Sequence, residues 1–221
     1  MKKSISQPND FFHWFQKYYT SILIIFLFTY LIFAFMAPFM MHLGFDKAGK
    51  FIYFTYSNLC HQFAHRSWFL FGDQFYYPIN SGEGDNIRTL IEVFGLDAQD
   101  LNVSRKIIGS EFAGYKVAIC QRDIMIYFAL MVFAIIFHFS NKKIEKIPFL
   151  IWLILAIIPI AVDGIWQLIS TINIIDMSIH ESTPFLRSIT GALFGFFSGW
   201  YLLPAIQDTF SDVIDRKMTK Q

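Results

Sequence analysis

Cysteine is almost missing from this chain: Cys60 and Cys120 are the only two in 221 residues. So small a supply excludes a disulfide scaffold and leaves material for one bridge or part of one metal site. No Cys-x-x-Cys pair occurs, so the usual electron relay of a dithiol oxidoreductase is absent too. Charge is also scarce, at 16% of residues with a formal net of +1, which gives no basic field for nucleic acid. Between Ser21 and Met41 there is no Asp, Glu, Lys or Arg at all, and no Ala-x-Ala-like exit follows. That run reads as a retained anchor and not as a cleaved signal peptide. Internal repeats are lacking as well.

What the chain has in excess is apolar and aromatic: 55% hydrophobic residues, 19% aromatic residues and 27 phenylalanines, with a mean hydropathy of +0.44. This is the composition of a membrane protein. About 20 apolar residues suffice to cross a bilayer core, and four runs qualify, at about 21–41, 123–140, 148–169 and 184–206. They predict an all-α integral membrane protein with four transmembrane helices, forming a single membrane domain over 1–221. Pro38 is expected to kink the end of the first helix.

Segment 44–121 reads as an excursion from the membrane. Its start, Phe51 to Trp68, is aromatic but carries Cys60, His61, His65 and Arg66. A stretch that polar is a poor span and predicts an interfacial helix or a re-entrant turn. Gly82 and Gly84 mark a loop tip. Ile87, Leu90, Ile91 and Phe94 then recur at helical spacing until Gly95, which predicts a short amphipathic helix lying on the membrane or over the site. Basic residues fall at Lys2, Lys3 and Lys17, at Lys142, Lys143 and Lys146, and at Arg216, Lys217 and Lys220, with none in the short turn between the third and fourth spans. By the positive-inside rule both termini are cytoplasmic, in the cell membrane, and the excursion lies outside, where thiols can be oxidised.

Helical rise turns sequence distance into depth. Counted from the cytoplasmic ends, Arg122, Asp163 and Arg187 stand at heights of roughly 26, 23 and 29 Å, in the outer third of a core of about 30 Å. An Asp163 carboxylate between the two guanidinium groups would be compensated there, whereas a lone charge would be costly. Gln167 lies one turn from Asp163, and Thr190 lies close to Arg187 on the same face. Two readings stay open for these charges: an ion-pair network that fixes the bundle, or an anion subsite for a phosphate or carboxylate head group. Gly191, Gly195 and Gly199 form a small-residue stripe suited to close helix packing. Lys142, by contrast, is expected to tolerate replacement by Gln.

The same depth holds the thiols. Cys120 and Asp123 are i and i+3 and share a face if helix starts there; His61 and His65 are i and i+4, a spacing at which two imidazoles on a helix chelate zinc. Cys60, His61, Cys120 and Asp123, with His65 as a further candidate, make a zinc-compatible set. A Cys60–Cys120 disulfide competes for the same sulfurs.

The ordered motifs Cys60-His61-Gln62, Arg66-Ser67, Gly72, Lys116 to Asp123 with Ile126-Tyr127, Pro159 with Asp163-Gly164 and Gln167, and Arg187 with Thr190-Gly191 and Gly195 resemble an uncharacterised prokaryotic membrane-protein family, domain of unknown function family 2085. The resemblance covers about residues 55–204 and implies a polytopic membrane protein with no assigned reaction. Many members place the two cysteine motifs close together and read Cys-x-Arg-Cys at the second; this chain has a long insertion between them and Asp123 at the last Cys. That departure weakens a dithiol mechanism and favours coordination, since Asp also ligates metals. The composite expectation is a membrane protein contacting lipid, with a polar outer-face site of Arg66, Ser67, Arg122, Asp163, Gln167, Arg187 and Thr190 around the thiols. It is either a metal-dependent enzyme acting on a lipid-like or anionic head group, or a non-enzymatic transporter or assembly factor with a structural disulfide.

Overall fold

A computed structural model describes residues 10–79, 87–95, 100–172 and 182–218. The loop tip at Gly82 and Gly84 and the turn before the last helix fall outside those residues. The protein is mostly helical, and four helices are long and apolar enough to cross a membrane: Phe12–His42, Gln121–Phe139, Phe149–Ile169 and Pro184–Val213.

The first span is the body of α1, Asp10–His42, which stays helical through Pro38. At Gly44 a left-handed residue, φ +80°, lets the chain reverse. Helix α2, Asp46–Tyr56, then runs back along α1. A side chain at Gly49 would meet Met41, while two turns later Tyr56 donates to the Tyr30 carbonyl at 2.6 Å. The buried face of α2 carries Ile52, Tyr53 and Tyr56, and its opposite face exposes Phe51 and Phe54. The returning segment is therefore a full helix against the upper half of α1, leaving Cys60 near the middle of the bundle's upper half.

The excursion builds a small core of its own from Ala64, Phe69, Tyr77, Leu90, Ile107 and Ala113. Helix α3, Leu90–Phe94, starts with a capping box between Thr89 and Glu92 and stops at left-handed Gly95. Helix α4, Leu101–Lys106, is capped by Asp100. Leu90 is fully buried in this core, so α3 closes the excursion's own interior. The helical reading of the chain also missed a three-stranded antiparallel sheet in the order β1-β3-β2, comprising β1 Phe69–Leu70, β2 Gly109–Ser110 and β3 Gly114–Lys116. Strands of two or three residues are too short to show alternation. Their register sets Phe69 opposite Lys116 and so brings the two ends of the excursion together.

Helix α5, Gln121–Phe139, follows directly from β3. The third span is composite: α6, Phe149–Trp152, a π-turn at Leu153–Ile157, and α7, Ile158–Ile172. Pro159 has no N–H to give back to Leu155, and the widened turn before it absorbs that loss. Helix α8, Pro184–Met218, opens with Pro at its first position and Thr183 as cap, whose hydroxyl accepts from the Leu186 amide at 3.2 Å. The glycine stripe of α8 lies against α5. A Cβ at Gly191 would come within 2.6 Å of the Arg122 carbonyl, and one at Gly195 would overlap the Ile126 carbonyl. Tyr30 against Tyr127 at 4.8 Å and Thr20 against His138 at 2.9 Å join α1 to α5 at two levels.

Candidate metal centre

Two cysteines sixty residues apart meet where α2 ends and α5 begins. Cys60 follows α2, its amide still donating to the Tyr56 carbonyl at 2.9 Å. Cys120 is the N-cap of α5, with extended backbone, and its Sγ accepts from the Asp123 amide at 3.5 Å. The two Sγ atoms and a carboxylate oxygen of Asp123 all lie within 4.8 Å of one another. Tetrahedral zinc with Zn–S of about 2.3 Å holds sulfurs roughly 3.8 Å apart, so a small side-chain adjustment accommodates an ion. Both cysteines are present as half-buried thiols. The hydrogen bond between them holds Cys60 below the ordinary thiol range; that bond first, then burial and the nearby Cys60 and Asp123 charges, pushes Cys120 well above it. The two sulfurs and the carboxylate form a set of ligands suited to a zinc-type ion.

A closed ring of hydrogen bonds fixes this meeting. The Tyr53 hydroxyl donates to the Lys116 carbonyl; the Lys116 ammonium donates to the Gln62 carbonyl at 2.6 Å; the Gln62 amide donates to the Tyr53 carbonyl at 2.9 Å. Three elements are thereby tied at one point: α2, the Cys60 loop and β3. Gln62 sits in the left-handed region at φ +56°, which costs a non-glycine residue about 1 kcal/mol or more and needs such anchoring. Lys116 is fully buried and also donates to the Arg105 carbonyl at 2.8 Å. Burial lowers its pKa from 10.5 to about 7. A neutral amine still has two N–H donors, matching the two carbonyls it serves.

Above the thiols lies a cleft of about 240 Å³ lined by Cys60, His61, Arg66, Cys120, Arg122, Asp123, Gln167 and Arg187, with Gln62, Leu59 and Phe63. Arg122 forms an ion pair with Asp163, joining α5 to α7 as the depth arithmetic requires. Arg187, only 2% exposed, donates to the His65 carbonyl at 3.2 Å and to Gln121 Oε1 at 3.3 Å. Gln121 passes the link on to the Ser67 carbonyl at 3.2 Å, so α8 is tied through α5 to the excursion.

The expected residues separate accordingly. Cys60, Cys120 and Asp123 cluster; His61 borders the cleft and is exposed, outside the three-atom cluster. His65 is buried elsewhere, its Nδ1 2.8 Å from Ser104 Oγ, and burial with the charges of Arg66, Arg187 and Lys116 holds it well below the usual imidazole range. The i, i+4 argument failed because residues 60–63 are not helical; only Ala64–Arg66 form a single 3₁₀ turn. Arg66 and Gln167 line the cleft. Ser67 and Thr190 do not: their hydroxyls donate to the carbonyls of Phe63 at 2.9 Å and Leu186 at 2.9 Å. Sequence reasoning assigned no role to Lys116, Gln62 or Gln121. Their places in the Cys60-His61-Gln62 and Lys116 to Asp123 motifs, and the lone Lys in the apolar run before Cys120, were the available signals.

The family described as Predicted membrane protein (DUF2085) matches residues 110–201, which include Cys120, Arg122, Asp123, Asp163 and Arg187. An uncharacterized protein of Methanocaldococcus jannaschii is 34% identical over 195 residues, covering 86% of this chain and 92% of its own. No solved structure matches.

Proposed function

The chain belongs to the predicted membrane-protein family DUF2085, and from that membrane setting we propose that its cleft binds a divalent ion of the zinc type for work on a lipid-like or anionic head group. Cys60, Cys120 and Asp123 are the protein ligands, and His61 stands at the rim. The observation that carries this reading is the approach of three ligand atoms to within 4.8 Å under a cleft. Three protein ligands leave one position of a tetrahedral ion open, the pattern of sites that handle a substrate and not of closed structural ones. The arginines supply positive charge beside that position. The basic residues of the termini and of the loop after α5 support a cytoplasmic position for both ends and an outer position for the cleft.

Elemental analysis of full-length protein purified without chelator tests the assignment. Stoichiometric metal is expected, with loss in Cys120→Ala and in Asp123→Ala and retention in Glu111→Gln. Metal-free protein, or metal undiminished in both ligand variants, overturns it.

One observation favours a second reading, a non-enzymatic transporter or assembly factor: the two sulfurs lie within 4.8 Å of one another on segments sixty residues apart. A bridge closing so long a loop would stabilise the fold by roughly 4 kcal/mol in the chain-entropy picture. Thiol alkylation with and without reductant separates the readings. Two free thiols on isolation exclude a stable bridge; alkylation only after reduction excludes the resting thiolate site.

A further inference from the structure

The cleft combines three features that together specify a ligand more closely than its anionic character alone. The first is depth. The Ala118 amide donates to the Ala34 carbonyl at 3.3 Å, which sets the start of α5 eight residues below the end of α1, or about 12 Å at helical rise. Around the end of α1, Phe39, Leu43 and Phe45 are exposed beside the exposed charges of Asp46 and Lys47. The cleft therefore opens below a rim of mixed apolar and charged side chains, which suits the level where head groups meet acyl chains. Its own lining has an apolar, outward-facing member in Leu59, which is 65% exposed.

The second feature is charge. Arg66, Arg122 and Arg187 face the cleft beside the Asp123 carboxylate, and Arg122 pairs with Asp163. Three guanidinium groups bring positive charge to one cleft, which suits an anion. The third feature is direction. The guanidinium groups come from three separate elements: the 3₁₀ turn, α5 and α8. A carboxylate offers two oxygens in one plane, whereas a phosphate offers oxygens in several directions and matches donors that converge from different sides.

We infer that the cleft takes a phosphate-bearing head group that enters sideways from the membrane leaflet. One phosphate oxygen fills the open position of the ion, and the others meet the arginines; the alkyl chains stay outside, beside Leu59. The metal contact rests on the metal reading given above, whereas the arginine contacts do not.

Full-length protein in phosphatidylcholine nanodiscs containing a minor share of phosphatidic acid tests this, with co-purified phosphatidic acid counted by native mass spectrometry. Inorganic phosphate is titrated in parallel, and metal content is measured on the same samples. Phosphatidic acid should be retained selectively, and Arg66→Gln should bind it about tenfold more weakly, as expected for one lost charge-assisted hydrogen bond, with metal content unchanged. Lys17→Gln, far from the cleft, should retain it fully. Should Arg66→Gln not yield folded protein, Arg66→Lys keeps the charge, loses the fork, and should also weaken retention. Arg66-dependent binding of inorganic phosphate without selective retention of phosphatidic acid supports the phosphate subsite and overturns entry from the leaflet. Binding of neither probe, or binding indifferent to Arg66, overturns the proposal. Arg66-dependent binding to metal-free protein supports the arginine subsite while sinking the metal reading.

Discussion

Replacing Lys116 by Met tests the ring that holds the two cysteine segments together. In the folded protein the amine is fully buried with a pKa lowered from 10.5 to about 7. Below 10.5 the unfolded chain binds the proton more tightly, so stability rises with pH through the window from about 7 to 10.5, by up to about 1.4 kcal/mol per pH unit. Between pH 7 and 9 this group alone should add about 2 kcal/mol to wild-type stability. Lys116→Met cannot show that rise. It also loses donors to the Gln62 carbonyl at 2.6 Å and the Arg105 carbonyl at 2.8 Å, at about 1 kcal/mol each. The variant should thus be clearly less stable than wild type at pH 9, and the gap should narrow towards pH 7 as the wild-type protein carries the burden of a buried ammonium. Thermal unfolding in detergent at several pH values, followed by tryptophan fluorescence, gives the two curves. Parallel curves would refute a buried amine that titrates near neutrality; a variant as stable as wild type at pH 9 would refute the ring as a stabilising element.

Asp163→Asn should lower stability by about 3–5 kcal/mol, because it strands Arg122 inside the bundle; adding Arg122→Gln should recover part of that loss, and an unaffected single variant would show the pair to be idle. Gly195→Ala should disrupt the bundle far more than Gly199→Ala: its Cβ would overlap a main-chain carbonyl, while the other meets only side chains at 3.1 Å. Equal melting temperatures for the two would contradict that packing. Lys142→Gln, expected from sequence to be silent, should instead cost about 1 kcal/mol in the same melt, since its ammonium donates to the carbonyls of Gln16 and of Lys17, the latter at 2.9 Å, and lies over the Tyr19 ring.

The membrane helices could be read from sequence because a bilayer core imposes one requirement, a predominantly apolar run of about 20 residues, and four runs meet it. The pairing of Arg122 with Asp163 followed from helical rise, since helices that cross one bilayer core turn residue counts into common depth. Arg187 lies at a similar depth, but its contacts with the His65 carbonyl and Gln121 run to the excursion, whose path no helical count describes. The histidine pair failed for a related reason: its spacing argument needed continuous helix, and left-handed Gln62 breaks the backbone between α2 and the 3₁₀ turn. The Tyr53–Lys116–Gln62 ring left little trace because each acceptor is a main-chain carbonyl, which every residue has.

The long insertion between the cysteine motifs leaves the two thiols together, and the sheet explains why. Phe69 pairs with Lys116 and Leu70 with Tyr115, so the excursion leaves and rejoins the membrane domain at adjacent points. The ring then fixes Gln62 and Lys116, two residues after one cysteine and four before the other. Chain inserted beyond β1 and before β3 enters only as loop closure, at about 0.6 kcal/mol for each doubling of length, and its own small core around Phe69 and Leu90 offsets that cost. Length can therefore accumulate between the thiols without moving them, provided both the strand pairing and the Lys116 anchor survive. Cutting the sheet pairing should separate the sulfurs even with every ligand residue intact: Gly114→Val, whose side chain would run into the Gly72 backbone that β3 passes, is expected to abolish bifunctional cross-linking between Cys60 and Cys120 in protein that still inserts its four spans.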